Sequence, residues 1–160
     1  MSQGKVIVNN LNLGQGSFPE IERKALFIGE SPFENQAVIS VNSQTDFDEK
    51  FGPFDSPLKV QLKAAQLNGG ENWEAYAYPI QSETSWLDQI NDVITQVSVE
   101  LLIVCDPVND VKNIRDAQAM AEYIRTTYAK RLIVLQAITG LSQQGEGLTW
   151  DSYVGQLGLL

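Results

Sequence analysis

Apolar residues recur at helical spacing in several stretches of the chain, and short apolar runs lie between them. The clearest predicted helix begins at Pro57, because Asp55 or Ser56 can serve as its N-cap and proline suits the first helical position. Gly69 stands where a left-handed residue would end this helix, and glycine adopts that conformation without Cβ strain. The apolar stripe of the helix consists of Leu58, Leu62 and Ala65.

Three further helices are predicted downstream, each with its own start signal. Ser85 and Asp88 have the spacing of a capping box at the start of the first. Asp110 begins a longer second helix, and Thr149 caps the third. The apolar stripes are Trp86, Ile90, Val93 and Val97 in the first, Ile114, Ala117, Ala121, Ile124 and Tyr128 in the second, and Trp150, Val154 and Leu157 in the third.

Short runs rich in apolar residues predict strands. The runs Lys24–Glu30 and Ala37–Val41 precede the first helix. The later runs Val99–Pro107 and Arg131–Ala137 are almost continuously apolar, which is typical of strands buried inside a parallel sheet. The stretch Trp73–Ile80 alternates instead, as a strand between two packed layers would. Its two faces would carry Trp73, Ala75 and Ala77 on one side, and Tyr76 and Tyr78 on the other.

From Pro57 onward, predicted helices and strands alternate. This order favours an α/β fold, a layered and mostly parallel sheet flanked by helices. One domain is the default for 160 residues, and we assign residues 24–160 to it. In residues 1–23, asparagines interrupt the short β-like run Lys5–Val8, and Gly14, Gly16 and Pro19 break regular structure. These residues predict an extended N-terminal arm and a loop.

Charge and composition exclude several classes of function. The net charge of −9 disfavours phosphate backbones and anionic membranes, so we expect neither nucleic-acid nor membrane partners. The absence of histidine excludes Ser-His-Asp and Cys-His catalysis within the chain. Cys105 is the only cysteine, and its apolar neighbours predict a buried core thiol. No apolar run is long enough for a signal peptide or membrane span, which predicts synthesis in a cytosol without secretion.

Asp106 is the sharpest catalytic candidate, because it directly follows a predicted buried strand. Ligands of doubly wound sheets bind outside the carboxyl ends of the strands, where a carboxylate can hold a metal ion or accept a phosphoryl group. The equivalent positions are Gln81 and Ser82 after the strand that ends at Ile80, and Ile138 and Thr139 after the strand Arg131–Ala137. Because no carboxylate cluster assembles, we favour a turn or helix-entry role for Asp106. We predict no catalytic residue, no metal and no cofactor.

Two glycine pairs resemble ligand loops at first sight. Gly14-Gln15-Gly16 lacks the third glycine of a dinucleotide loop, and Pro19 interrupts the helix that should follow. Gly69-Gly70 has no phosphate motif or basic residue beside it within residues 66–80. The aromatic residues that follow are more typical of a sheet packed under helices than of ligand stacking. Neither pair therefore predicts a nucleotide site.

Three stretches match one known family in order and spacing. Phe51–Ile80 combines Phe-Gly, a Ser-Pro-Leu helix start, a helix ending in Asn-Gly-Gly and an aromatic strand. Trp86–Val108 contains a helix and an apolar strand ending in a proline turn, and Ile114–Ala137 contains a helix ending in basic residues before a strand. Together with the N-terminal stretch Leu11–Gly29, they resemble tail sheath proteins of contractile bacteriophages, particularly Mu-like phages and prophages.

The resemblance implies a structural protein and not an enzyme. Sheath subunits self-associate into hexameric rings around the tail tube protein, and contraction drives the tube through the host envelope. The protein would be assembled in the bacterial cytoplasm and reside in the virion tail. Terminal segments of sheath proteins add strands to neighbouring subunits. In this chain the candidate interface residues are Lys5, Val6, Ile7, Val8, Leu11 and Leu13. Because sheath proteins are considerably longer, the chain would be an N-terminal fragment of one or a truncated prophage remnant.

Two other hypotheses stay open. A small doubly wound enzyme module would use Asp106 to bind a metal ion or phosphate. A non-viral α/β adaptor would bind a partner through its acidic surface. The missing histidines and phosphate loop weigh against the enzyme, whereas the adaptor differs from the sheath subunit mainly in its partner.

Overall fold

The computed structural model describes residues 24–32, 36–82, 85–108, 111–138 and 149–156. The predicted arm at residues 1–23 and the predicted helix start at Asp110 lie outside the described residues. The strands are β1 Ala25–Glu30, β2 Ile39–Asn42, β3 Glu74–Ile80, β4 Leu101–Val108 and β5 Ile133–Ile138. The helices are α1 Phe47–Phe51, α2 Pro57–Gly69, α3 Trp86–Gln96, α4 Val111–Tyr128 and α5 Trp150–Gln156.

The five strands form one sheet in the order β2-β3-β1-β4-β5. Strand β1 pairs in parallel with β3 and β4, and β4 pairs in parallel with β5. Only β2, at the edge of this sheet, is antiparallel to its neighbour β3. The predicted α/β architecture with a mostly parallel sheet is therefore confirmed.

Helix starts follow the predicted polar residues. The Ser56 hydroxyl accepts a hydrogen bond from the Lys59 N–H at 3.3 Å, and Pro57 occupies the first turn. The Ser85 hydroxyl accepts from the Leu87 N–H, and the Thr149 hydroxyl accepts from the Ser152 N–H. Each contact satisfies an N–H that has no partner within its own helix.

Alternation along the strands sends neighbouring side chains into two separate cores. On one face, α3 and α4 pack over Leu26, Ile28 and Leu102 of the sheet. On the other face, α1 and α2 pack over Phe27 and Ala77. As predicted, the tyrosines of β3 join the first core, and Trp73, Ala75 and Ala77 join the second. Residues two apart on a strand share a face, so the period of two in the sequence fixes this division.

Strand β5 departs from its predicted full burial. Ile133 and Leu135 are 47% and 50% exposed, and the strand alternates between exposed and partly buried positions. It pairs with β4, and α4 packs on one of its faces. Helix α2 contacts β1, β3 and β4 on the opposite face of the sheet. The prediction was wrong because an apolar run reports strand propensity and not the position of the strand within the sheet.

The end of α2 lies one residue later than predicted. Gly70, and not Gly69, has the positive φ of 74° that favours glycine. Gly69 belongs to the helix, and a Cβ atom there would lie 2.2 Å from the Trp73 ring. Glycine is therefore required at the two positions for different reasons. Gly70 permits the turn, and Gly69 leaves room for the Trp73 ring.

Candidate functional site

The candidate site lies where the parallel strands end. The chain passes from β1 to β3 on one side and then crosses to β4 on the other, so its topological switch point falls between β1 and β4. Ligands of open α/β sheets bind in the crevice that forms at such a point. In this protein the ends of the two strands bring together Glu30 and Asp106.

The Asp106 carboxylate spans this switch point. Its Oδ1 and Oδ2 atoms accept hydrogen bonds from the backbone N–H of Glu30 at 3.2 and 2.9 Å. Asp106 lies within β4, so the predicted turn or helix-entry role is wrong, and the carboxylate ties β4 to the end of β1 instead. Burial raises the pKa of the Asp106 carboxyl, and this effect is larger than the decrease that the hydrogen bond from the Glu30 N–H causes. The charge of Glu30 raises the pKa further.

Below this contact the two strands approach closely. A Cβ atom on Gly29 would lie 2.6 Å from Cys105 Cβ and 3.3 Å from Asp106 Oδ2. Cys105 is only 3% exposed, and burial raises the pKa of its thiol far above the ordinary value, with the Asp106 charge adding to the effect. The prediction of a buried core thiol is confirmed, and a thiol in this state is a poor nucleophile.

A cavity of about 360 Å³ lies beside Asp106. Apolar groups of Ile80, Trp86 and Val108 form part of its wall, and its polar groups include Gln81 and Ser85. Its described lining contains two carboxylates but neither lysine nor arginine, so it offers no cation to hold a phosphate. Within the described ranges, no group of three or more acidic, cysteine or histidine residues is placed to hold a metal ion. The observed role of the Asp106 carboxylate is therefore to hold β4 against the end of β1.

The aromatic residues of the β3 region pack inside the protein, as predicted. The Trp73 ring meets the Phe27 ring edge to face, with centroids 6.5 Å apart. Tyr78 is buried, and its hydroxyl donates to Gln89 Oε1 on α3 at 3.3 Å. Burial, and then the charge of Asp92, raises the pKa of this phenol. These rings pack in the two hydrophobic cores.

A buried lysine at the corner between α1 and α2 is absent from the sequence-based predictions. Lys59 is fully buried, and its ammonium donates to the Gly52 and Phe54 carbonyl oxygens at 2.5 and 3.3 Å. It also pairs with Asp48, which contacts Lys63 as well, and hydrogen bonds from both ammonium groups lower the pKa of the Asp48 carboxyl. The position of Lys59 beside Leu58, near the buried side of α2, was the only sequence signal.

Within the part of the chain that the structure describes, the helices are all too short or too polar to cross a lipid bilayer. Helix α4 is the longest of them, and its side chains include charged residues on the exposed side.

Comparison with known sequences gives two findings. The family described as "DUF2586, N-terminal domain" matches residues 3–159. A protein of Haemophilus phage HP1 (strain HP1c1) described as "Putative tail sheath protein" is 32% identical over 155 residues. That alignment covers 95% of this chain and 41% of the relative, so the chain spans about two fifths of the relative's length.

Proposed function

This chain belongs to the family of DUF2586 N-terminal domains, and we propose that it forms the N-terminal part of a phage tail sheath protein. The observation that carries the proposal is the 32% identity to the phage HP1 protein across 95% of the chain. The alignment extends over nearly all of the α/β domain, as expected for two proteins that share a structural role. The resemblance of three long stretches to sheath sequences supports the same assignment independently of that relative.

The geometry at the switch point supports a scaffold over an enzyme. Both carboxylate oxygens of Asp106, the residue on which an enzymatic function would depend, accept hydrogen bonds from the Glu30 N–H. Gly29 and Cys105 fill the space beneath it. A carboxylate held in this way fastens two strands together, and a subunit that transmits force benefits from a fastened sheet.

The finer parts of the proposal concern assembly. We propose that the complete protein self-associates into rings around the tail tube protein, contracts during injection and resides in the virion tail after assembly in the host cytoplasm. Assignment to Mu-like phages belongs to the same proposal. The arm would join subunits by strand addition, which relies on backbone hydrogen bonds and so tolerates a polar sequence such as Asn9-Asn10. Its contact residues would be Lys5, Val6, Ile7, Val8, Leu11 and Leu13.

Electron microscopy of the complete product of the reading frame that encodes this chain tests the proposal. We expect rings or tubes, alone or with the co-expressed tail tube protein. The matched variant lacks residues 2–13; it should keep the circular dichroism spectrum of the intact product but form no tubes. If the intact product stays dispersed in both settings, the sheath assignment fails. If the deletion variant assembles normally, only the role of the arm fails.

A further inference from the structure

Charge is strongly segregated along the chain. Residues 64–111 contain eight acidic residues and no lysine or arginine. The following residues 112–131 contain five basic and two acidic residues. This basic stretch forms α4 and the connection to β5. In a protein of net charge −9, α4 and this connection therefore carry more positive than negative charge.

The positive surface is a groove between α4 and the start of β5, which we name the arginine groove. Arg115 and Arg125 from α4 and Arg131 from the connection line a cavity of about 710 Å³. Arg125 pairs with Glu122 on the same helix, whereas no salt bridge is found for Arg115 or Arg131 among the described residues. A guanidinium presents two parallel N–H donors that match a carboxylate, so the groove suits acidic side chains.

A matching acidic surface lies on α3. Asp88 and Asp92 stand one helical turn apart, and both are exposed. The hydrogen bond from Tyr78 to Gln89 shows that this flank of α3 faces β3, and the charge of Asp92 acts on the same tyrosine. We name Asp88 and Asp92 the acidic pair.

The two surfaces lie on opposite flanks of the helical layer. In the sheet, β3 and β5 are separated by β1 and β4. The acidic pair belongs to the β3 side, and the arginine groove belongs to the β5 side. Among the described residues, the two surfaces therefore do not face each other within one copy.

We propose that the arginine groove binds the acidic pair of a second copy of this chain, in a head-to-tail contact that joins neighbouring subunits. Contacts of this kind use two different patches and close into rings when the rotation permits. The inference rests on the proposed sheath function and names the surfaces that would join its subunits. A second copy brings its own complementary patch.

Two charge-reversal variants of the chain test the contact. The groove variant carries Arg115→Glu, Arg125→Glu and Arg131→Glu, and the pair variant carries Asp88→Lys and Asp92→Lys. Each variant opposes like charges in its own contact, whereas a mixture restores opposite charges at every junction. Sedimentation velocity should show association of the wild type at about 0.01 M salt, where the Debye length is about 30 Å, and its loss at about 1 M salt. Each variant alone should associate at least about tenfold more weakly, and the equimolar mixture should recover association.

The control variant carries Glu49→Lys and Glu71→Lys, two exposed residues outside both the acidic pair and the arginine groove. It has the same net charge as the pair variant and should associate like the wild type. Recovery in the mixture supports the contact, since a general charge effect would not depend on mixing. If both variants associate like the wild type, or if the mixture stays dissociated while each fold is intact by circular dichroism, the contact is wrong. Binding of a double-stranded DNA probe by wild type that does not self-associate, with loss in the groove variant, would also overturn it.

The complete gene product separates this proposal from the broader one. Tubes formed by the wild type and by both charge variants would remove the contact and leave the sheath function standing. Failure of the wild type to form rings or tubes, alone or with the tail tube protein, would refute the sheath function itself.

Discussion

Substitution of Asp106 gives the sharpest test of whether its carboxylate is a structural contact between two strands or part of a reaction centre. We compare Asp106→Ala with Asp106→Asn. Alanine removes both oxygens that accept from the Glu30 N–H, whereas asparagine keeps one oxygen in place without charge. A hydrogen bond to a charged acceptor contributes about 1.5–3 kcal/mol. Because Asp106 is only half buried and water can replace part of the contact, we expect alanine to lower the free energy of unfolding by about 1–2 kcal/mol.

Asparagine should behave differently at neutral pH. Burial raises the pKa of the Asp106 carboxyl in the folded protein, so the fold disfavours its charged form. A neutral isostere removes that cost, which offsets the weaker hydrogen bond. We expect Asp106→Asn to stay within about 0.5 kcal/mol of the wild type at pH 7. Urea unfolding followed by tryptophan fluorescence measures both variants, and at about 2 kcal/mol per molar urea the alanine midpoint should fall by about 0.5–1 M.

The pH dependence gives a second readout. Since the folded pKa of Asp106 lies above the unfolded value, the folded state binds the proton more tightly. The contribution of Asp106 to stability therefore falls as pH rises from the unfolded to the folded pKa, and it is level above that window. The free energy of unfolding of the asparagine variant minus that of the wild type should therefore be more negative in acid than at pH 7. Taking this difference removes the opposing contribution of Asp48, whose lowered pKa is common to both proteins.

Several results would refute the reasoning on Asp106. If asparagine destabilises the protein at pH 7 as much as alanine does, the charge itself is essential and burial is not the dominant influence. If the difference between wild type and asparagine variant is independent of pH, the carboxyl is not perturbed by folding. Stabilisation of the wild type by Mg²⁺ or inorganic phosphate, with loss in Asp106→Asn, would favour the enzyme hypothesis.

Two further substitutions test contacts at the edges of the cores. Lys59→Met should lower the free energy of unfolding in urea by about 1–3 kcal/mol, because the Gly52 and Phe54 carbonyls lose their hydrogen-bond donor. The exposed control Lys50→Met should show almost no change in the same assay. Gly29→Ala should cost about 1–3 kcal/mol in thermal unfolding, because its Cβ would meet Cys105 Cβ. Adding Cys105→Gly should relieve part of that steric cost, whereas adding Cys105→Ala, which keeps the Cβ atom, should not.

Local features of the fold could be predicted, because their causes are local. Ser56 and Pro57 mark a helix start wherever the helix lies, and the alternation of β3 divides its side chains between two faces in any sheet. Helix α1 was absent from the predictions. It has only five residues, and its signal is the Asp46 side chain, which accepts from two backbone N–H groups. A short helix of this kind depends on packing of Phe47 and Phe51 against the second core, which no local pattern reports.

The role of Asp106 and the edge position of β5 have non-local causes. The partner of Asp106 is the Glu30 N–H, 76 residues away in sequence, and the register that unites them follows from the sheet. Likewise, Ile133 and Leu135 look like core residues until the strand order places β5 at the end of the described sheet. Composition and periodicity indicate which residues pack, but topology decides which of them meet.

The same distinction between local pattern and topology applies to the switch point and to the charged flanks. An α/β enzyme keeps the ends of its strands open for a ligand, and it places polar groups there that the fold does not consume. Here Asp106 is engaged by Glu30, and Gly29 packs against Cys105. The charges of the proposed contact lie on the flanks instead, with carboxylates beside β3 and arginines beside β5. The proposed head-to-tail contact uses these two flanks, and it depends on their opposite charges.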